Sequence, residues 1–532
     1  MAFFVSNLFV TTFDVNFSIM FLKYRFFVNV LINRYFLLFL VVFGFAYFFN
    51  IINLKELQSN FPDKVRSNQT VATSDDVIYL KPAKNWLNSY TWTDGSIGRQ
   101  QYFSRPPGYS MFILPFYKFF GLKDGLFYLK FFQLLFFSIS VIAFYRIVEK
   151  GVDEQKISLF FVFLYGIFPI ASGFVFYTLT EAITPALLIF YLYFLQKALL
   201  AQTNKLRWYF VSAFILGVFL LVRPVFAMFA LPFLIISITD KKFTSNFISR
   251  LKNTCGLMLF ILLPLLFWEI RVISICGEFP GLYPVYDKEV NTIYRPTHKA
   301  IWEFGKCWGI SGKDFHEHIG PIWEQIIYPD SILGNPIESF IAIIPKNIVN
   351  ELGEYNIRKA FESYQKTVVY QRESYLLKQY LPVNFDEKEQ RTIFLFNTLK
   401  ESYKSKHWLN YYVVVPFIYL KEMSLHSNLN LYIFQHSWRG NFVMELVRLF
   451  SLLVHFFLFV ILICSIFVRK ISLLSRMLSV SSIIYVLFLA FYFRELEERY
   501  TLPILPVLFL ISSDVIFHSK IYQYVLSRFK KV

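Results

Sequence analysis

Two adjacent carboxylates, Asp75 and Asp76, open the stretch DDVIYLKPAKNWLNS soon after a long apolar segment. Near lipid, water is scarce and aromatic neighbours raise a carboxylate's proton affinity, which suits a general base. The same position has a second reading, because an aspartate just ahead of VIYLKPAKNWL would satisfy the free N–H groups of a helix start. Both readings stand at this point.

Arg99, Arg105, Arg223, Arg295, Arg439, Arg494 and Arg499 fall at the ends of apolar segments opposite to those that collect most of the basic residues. A guanidinium is a planar fork of donors that matches phosphate oxygens, so an anionic ligand at a membrane surface would account for them. Pairing with local acids is the alternative. It applies best to Arg494 and Arg499 in RELEERY, where Glu495, Glu497 and Glu498 are neighbours. Thr180 and Glu181 lie in FYTLTEAITP. A glutamate beside hydrocarbon is costly and is expected to face a cavity or a partner, with a helix start as the other reading. His298 stands apart, while His316 and His318 form HEH in KDFHEHIG. Histidines one residue apart converge only on a strand or an irregular loop, which disfavours a metal site. Cys255, Cys276, Cys307 and Cys464 have no paired spacing, so neither a disulfide framework nor a zinc motif is implied. No nucleotide-binding glycine loop or Ser-His-Asp order appears in a credible context.

Membrane helices must position these groups. The chain is 56% hydrophobic, with 66 phenylalanines in 532 residues and a mean hydropathy of +0.47, far from a soluble domain. Spans are expected near 35–52, 125–148, 157–177, 182–200, 207–222, 225–239, 255–275, 443–468, 477–493 and 501–516, about ten in all. The net charge of +17 is distributed as topology, not as a nucleic-acid surface. Lys23, Arg25 and Arg34, then Arg146, Lys150 and Lys156, then Lys197, Lys205 and Arg207 occupy alternate loops. Lys241, Lys242, Arg250 and Lys252, then Arg469, Lys470 and Arg476, and a tail with Lys520, Arg528, Lys530 and Lys531 continue the pattern. The positive-inside rule makes these loops and both termini cytoplasmic. The first 34 residues lack an early basic region and an A-x-A-like cleavage site, so an uncleaved anchor is expected.

The chain accordingly divides into an N-terminal cytoplasmic or interfacial segment (1–34), a transmembrane core (35–275) that includes a first external loop (53–124), a mainly helical extracytoplasmic domain (276–441), and C-terminal spans with a basic tail (442–532). In the first loop, RQQYFSRPPGYSMFILPFYKFFG brings two prolines that fix φ and a glycine that permits close backbone approach. The apolar run after Gly108 is expected to lie along the interface as far as Gly121. HWLNYYVVVPFIYL, interrupted by Pro416, reads as an interfacial or core helix, with a further span as the alternative. Seven spans precede the long segment and three follow it, without an obvious internal repeat, which disfavours transporter folds built from two similar halves.

Together these features resemble the GT-C class of membrane glycosyltransferases, and within it the branch of protein O-mannosyltransferases and lipid A aminoarabinose transferases. Asp75, Asp76, Tyr79 and Ala83 resemble the first-loop aspartate motif of that branch, and RPPGY, Arg105 to Tyr109, is similar to its PPGYP turn. Pro169 followed by Thr180 and Glu181 resembles its P...tE pattern, and LLVRPVF around Arg223 and Pro224 its Arg-Pro signature. ERYTLPILP, Glu498 to Pro506, resembles its final E-R-Y-x-x-P-x-x-P helix. Ser110 stands where the family often has proline, and Asp76 where glutamate is common.

The resemblance implies an all-α polytopic membrane protein with a GT-C-like bundle and a catalytic first external loop. It implies transfer of a sugar from a polyprenyl-phosphate carrier to a hydroxyl acceptor at the extracytoplasmic face of the plasma (inner) membrane. In that reading Asp75 is the general base and Asp76 positions the acceptor. Arg499, then Arg223 and Arg105, stabilise the departing lipid phosphate, and Tyr79, Tyr109, Glu181 and Tyr500 complete the substrate site. A lipid-phosphate leaving group implies no obligatory metal and no cofactor beyond the lipid-linked donor. The acceptor, whether protein, glycolipid or polysaccharide, is left open. The rival reading is a flippase or transporter of lipid-linked sugars, which would place ionisable groups near span midpoints; Lys130, Glu269 and Arg271 are the residues to examine for it.

Overall fold

The computed structural model describes residues 33–73, 75–92, 106–152, 154–276, 296–309, 336–376, 387–425, 442–494, 498–519 and 522. Expectations placed on the N-terminal anchor, Arg99, Arg105, Arg295, Arg439, His316, His318 and the side chains of Cys276 and His298 lie outside the described residues. Within them the regular structure is helical. Extended pairing is confined to the isolated bridges Val65–Val71 and Val71–Tyr177.

The chain is a multi-pass membrane protein. Among the described residues, the helices Arg34–Asn60, Gly108–Gly151, Lys205–Val222, Phe247–Ser274, Glu445–Cys464, Leu473–Phe493 and Arg499–Phe517 are long and apolar enough to cross a bilayer. Three shorter apolar helical segments, Gln155–Gly166, Thr184–Leu200 and Pro224–Thr239, lie between them in sequence. Thr184–Leu200 packs against both Lys205–Val222 and Gly108–Gly151, and the final helix packs against Gln155–Gly166, Phe442–Cys464 and Leu473–Leu487. Lipid is as apolar as phenylalanine, so close packing and internal hydrogen bonds hold such a bundle together. Phe509 meets the rings of Tyr165 and Phe168 edge-on, at 5.6 and 5.7 Å.

Proline shapes the bundle at three places. The span expected at 157–177 ends as a helix at Gly166, and the chain turns at Pro169 into a buried irregular stretch. Buried main-chain carbonyls need donors. Asn50 donates to the Ser172 carbonyl (2.9 Å), and Gln133 donates to those of Val175 (2.7 Å) and Tyr177 (3.2 Å). Pro503 holds Glu498–Ile504 in a 3-10 turn, so the α-helix of the last span starts only at Leu505. Around Pro416 the chain stays helical, because a π-turn over Asn410–Val414 precedes it and relieves the clash of the proline ring with the preceding turn. Val415, Tyr419 and Met423 on this helix are buried in the bundle, while Trp408, Tyr412 and Phe417 are exposed.

Gly108–Gly151 is two helices joined by a kink at Gly121, whose φ of 77° only glycine adopts readily. The run after Gly108 is therefore a separate arm set at an angle to the span that follows. The long segment contributes helices Pro296–Gly305, Pro336–Ala342, Lys346–Leu352, Glu354–Leu376 and Glu387–Lys406. They enclose a second hydrophobic cluster built on Phe304, Phe340, Phe361 and Phe396.

Candidate active site

The first loop is fastened to the bundle before it reaches the carboxylates. Val71 donates its N–H to the Phe176 carbonyl (3.0 Å), and Ala72 donates to that of Lys64 (2.7 Å). The helix Asp76–Ser89 then begins, and Asp75 stands just ahead of it without a capping hydrogen bond. Its carboxylate pairs with the guanidinium of Arg499 instead. Asp76 points the other way and is buried. Its Oδ2 accepts from Arg66, from the Thr73 N–H (2.9 Å) and from the Thr178 hydroxyl (2.8 Å). The adjacent acids thus have separate surroundings, one at the mouth of the site and one in its wall.

Glu181 sits in a buried 3-10 turn, Thr180–Ala182. Its carboxylate accepts from Arg223 (2.7 Å) and from the Thr180 hydroxyl (2.9 Å), and lies 3.8 Å from Nε of Arg499. Pro224 explains how Arg223 gets there. The residue before a proline is driven out of the helical region, and Arg223 takes an extended φ, ψ of −154°, 92° directly after the helix Lys205–Val222. Burial works against the charge of Glu181, but the guanidiniums of Arg223 and Arg499 and the Arg223 hydrogen bond outweigh it and hold its pKa down at about 2. Tyr500 lies under this pair, its ring centroid 5.1 Å from the Arg223 guanidinium carbon, and its carbonyl accepts from the Tyr485 hydroxyl (2.8 Å).

The Pro-Pro-Gly turn adds the floor. A Cβ on Gly108 would lie 2.6 Å from main-chain atoms of Leu221 and Val222, so only glycine lets the arm press against the turn that presents Arg223. Tyr109 meets Tyr79 edge-on at 5.6 Å, and its hydroxyl donates to Gln133 (2.7 Å). Ser110 donates to the Tyr79 carbonyl (2.7 Å), a bond that proline could not make, and so ties the arm to the helix that follows the carboxylates.

Asp75, Glu181, Arg223, Arg499 and Tyr500 therefore form one network, with Asp76 behind it and Tyr79 and Tyr109 beside it. Arg105 lies outside the described residues. Arg494 and Arg499 both make long-range contacts, and the sequence neighbours Glu495 and Glu497 lie outside the described residues. Arg494 takes a left-handed backbone (φ 49°), which turns its guanidinium onto the ring of Tyr411 at 3.7 Å and lets it donate to the Tyr411 carbonyl (2.7 Å). Arg66, Thr178 and Gln133 are absent from the sequence-based site. Arg66 carried one usable signal, as an arginine in the same loop as the carboxylates. Arg271 donates to the Trp92 carbonyl (2.9 Å) at the end of its helix.

Three carboxylates are each matched by a guanidinium, Asp75 by Arg499 and Glu181 by Arg223 within the network and Asp76 by Arg66 behind it. Such a set is neutral at rest, and a phosphate can enter by taking a guanidinium from its carboxylate. A divalent ion would have to compete with a guanidinium for each carboxylate.

The family model described as dolichyl-phosphate-mannose-protein mannosyltransferase matches residues 104–268. That interval contains the Pro-Pro-Gly turn, Glu181 and Arg223; Asp75, Asp76 and Arg499 lie outside it. Among solved structures, the chain is similar to the archaeal oligosaccharyltransferase AglB from Archaeoglobus fulgidus, in complex with an inhibitory peptide and a dolichol-phosphate. The identity is 12% and the TM-score 0.40, over 94% of this chain and 52% of that one. It is also similar to ArnT from Cupriavidus metallidurans, at 14% identity and a TM-score of 0.32, over 89% of this chain and 77% of that one. The chain thus spans about half the length of the archaeal chain, 52% of it. No curated protein sequence matches it.

Proposed function

We propose that this protein is a membrane glycosyltransferase that moves a sugar from a polyprenyl-phosphate carrier to a hydroxyl acceptor, with the site on the extracytoplasmic face. The observation that carries this reading is the contact of Asp75 with Arg499 at the edge of a cluster in which Arg223 and Glu181 also meet. The side chains of Asp75 and Arg499 keep 23% and 14% of their exposure, which leaves both within reach of ligands, whereas Asp76 keeps 2%.

In the proposed step the donor phosphate draws Arg499 away from Asp75. The freed carboxylate takes the proton of the acceptor hydroxyl, and that oxygen attacks the anomeric carbon from the face opposite the phosphate. The bond between the anomeric carbon and the phosphate oxygen breaks, and its electron pair leaves on the lipid phosphate. Configuration inverts. Arg499 and Arg223, already oriented by Glu181, meet the charge that develops on the leaving phosphate, where preorganised donors act most strongly. Asp76 holds the loop, and the buried pair Tyr79–Tyr109 packs behind the site and supports it without reaching the substrate. The family match at residues 104–268 supports the lipid-phosphate donor class. The positive-inside distribution supports the face.

The test is to reconstitute the protein in vesicles with radiolabelled polyprenyl-phosphate sugar and follow the label. Loss of label from the lipid with its appearance on protein, glycolipid or glycan supports transfer. Labelled lipid that crosses the bilayer unconsumed would establish the flippase reading instead.

A further inference from the structure

Asp76 is held from behind by groups that belong to no part of the Asp75–Arg499–Glu181–Arg223 network. Arg66 reaches it with one arm of its guanidinium, while Nη1 donates to the Thr178 hydroxyl (3.1 Å), the Val71 carbonyl (3.2 Å) and the Thr70 hydroxyl (3.3 Å). The Thr178 hydroxyl accepts from Arg66 and has one proton to give, and its shortest acceptor is Asp76 at 2.8 Å. A carboxylate oxygen that receives a guanidinium, an amide and a hydroxyl has little capacity left for an acceptor substrate.

Arg66 is aimed by a tight turn. Arg66 accepts from the Gln69 N–H (2.8 Å) and donates its own N–H to the Thr70 carbonyl (3.0 Å). Gln69 takes a left-handed backbone, φ 59°, which a non-glycine residue keeps only where its surroundings fix it. Lys130 supplies that fixing. Its ammonium is buried and donates to the carbonyls of Asn68 (3.2 Å) and Gln69 (3.3 Å) and to Oε1 of Gln69 (3.3 Å). The rings of Phe127, Phe176 and Phe131 surround it at 4.6, 5.1 and 5.4 Å. A charge in such a place is costly, and it is kept here for the carbonyls of one turn.

We propose that Lys130, Arg66 and Thr178 are positioning residues for the transfer site. Lys130 sets the turn, the turn aims Arg66, and Arg66 with Thr178 locks Asp76, so that Asp75 is presented to Arg499 and the acceptor at a fixed angle. The proposal rests on the reading of Asp75 as the base. A misplacement of about 1 Å at such a group costs on the order of 100-fold in rate.

The test is steady-state transfer from polyprenyl-phosphate sugar by the reconstituted full chain and by the variants Arg66→Ala, Arg66→Lys and Thr178→Val. The expected result for Arg66→Ala is a kcat lowered about 10- to 100-fold at an unchanged KM for the donor. Arg66→Lys restores part of it, because an ammonium reaches Asp76 but not all the other acceptors. Thr178→Val, which removes one hydroxyl and is the gentler change should Arg66→Ala not fold, gives a smaller loss of kcat, again without a change in KM. Full kcat in Arg66→Ala and Thr178→Val, or a loss seen only in KM, would overturn the relay while leaving transfer intact. Absence of transfer by the unaltered protein would overturn the transfer reading, and the relay with it.

Discussion

Asp75 and Arg499 stand 424 positions apart in the chain and share an ion pair at the mouth of the candidate site. One comes from the loop after the helix Arg34–Asn60 and the other from the turn that opens the helical segment Arg499–Phe517. Their meeting closes the bundle on itself at the place where acceptor and donor would have to meet. Arg499 also approaches Glu181, so a phosphate that draws it from Asp75 leaves it oriented by a buried partner. In the proposed step, donor binding and release of Asp75 become a single event.

Replacing Arg499 tests that coupling. Arg499→Ala removes the donor proposed to meet the leaving phosphate and is expected to lower kcat about 100- to 1000-fold. Arg499→Lys keeps the charge and loses the fork, so it should retain part of the rate. Steady-state transfer assays read both; equal activity in the alanine and lysine variants and the unaltered protein would remove Arg499 from the step.

Glu181 gives a pH dependence with a defined sign. Its carboxyl is held at about 2 in the folded protein, below the ordinary 4.5. A depressed pKa contributes stability that is fully present above the unfolded value and is lost as pH falls through the folded one. Melting temperatures in detergent should therefore fall between pH 4.5 and pH 2, and Glu181→Gln should flatten that part of the curve. Glu181→Gln is also expected to destabilise the protein at neutral pH, by about 3 kcal/mol, because it leaves the Arg223 guanidinium without its counter-charge.

Gly108 is a packing requirement. A methyl group there meets the main chain at 2.6 Å, where nothing can yield without moving the turn that carries Arg223. Gly108→Ala should cost about 1–3 kcal/mol and lower transfer together with stability. Thermal unfolding and activity measured on one preparation check it. Wild-type values for both would mean that the arm does not press on the helix Lys205–Val222.

Much of this site was legible because its residues are unusual for their surroundings. A glutamate in FYTLTEAITP, an arginine ahead of proline in LLVRPVF and a carboxylate pair beside a membrane span each stand out against apolar sequence. Arg66 did not stand out, because a charged residue in a polar loop looks solvated until the loop folds back onto Phe176. The contact of Arg494 with Tyr411 was not legible either, because it depends on a left-handed turn at the arginine's own backbone. The span expected at 157–177 was too long, because apolar content alone does not separate a membrane helix from a buried loop satisfied by Asn50 and Gln133.

The contact of Arg494 with Tyr411 joins the bundle to the polypeptide of the long segment. Tyr411→Ala keeps the carbonyl bond and removes the ring under the guanidinium, worth about 0.5–2 kcal/mol. Limited proteolysis of the reconstituted protein should then cut faster between the helix Glu387–Lys406 and the bundle. An unchanged digestion pattern would show that the ring contributes nothing to that junction.

The most direct measurement of the central claim is a single-turnover reaction with bound polyprenyl-phosphate sugar, comparing the unaltered protein with correctly inserted Asp75→Asn. A neutral amide cannot take the acceptor's proton, so transfer should slow about 100- to 10,000-fold while the donor remains bound. Transfer by Asp75→Asn at the full rate would contradict the assignment of Asp75 as the base.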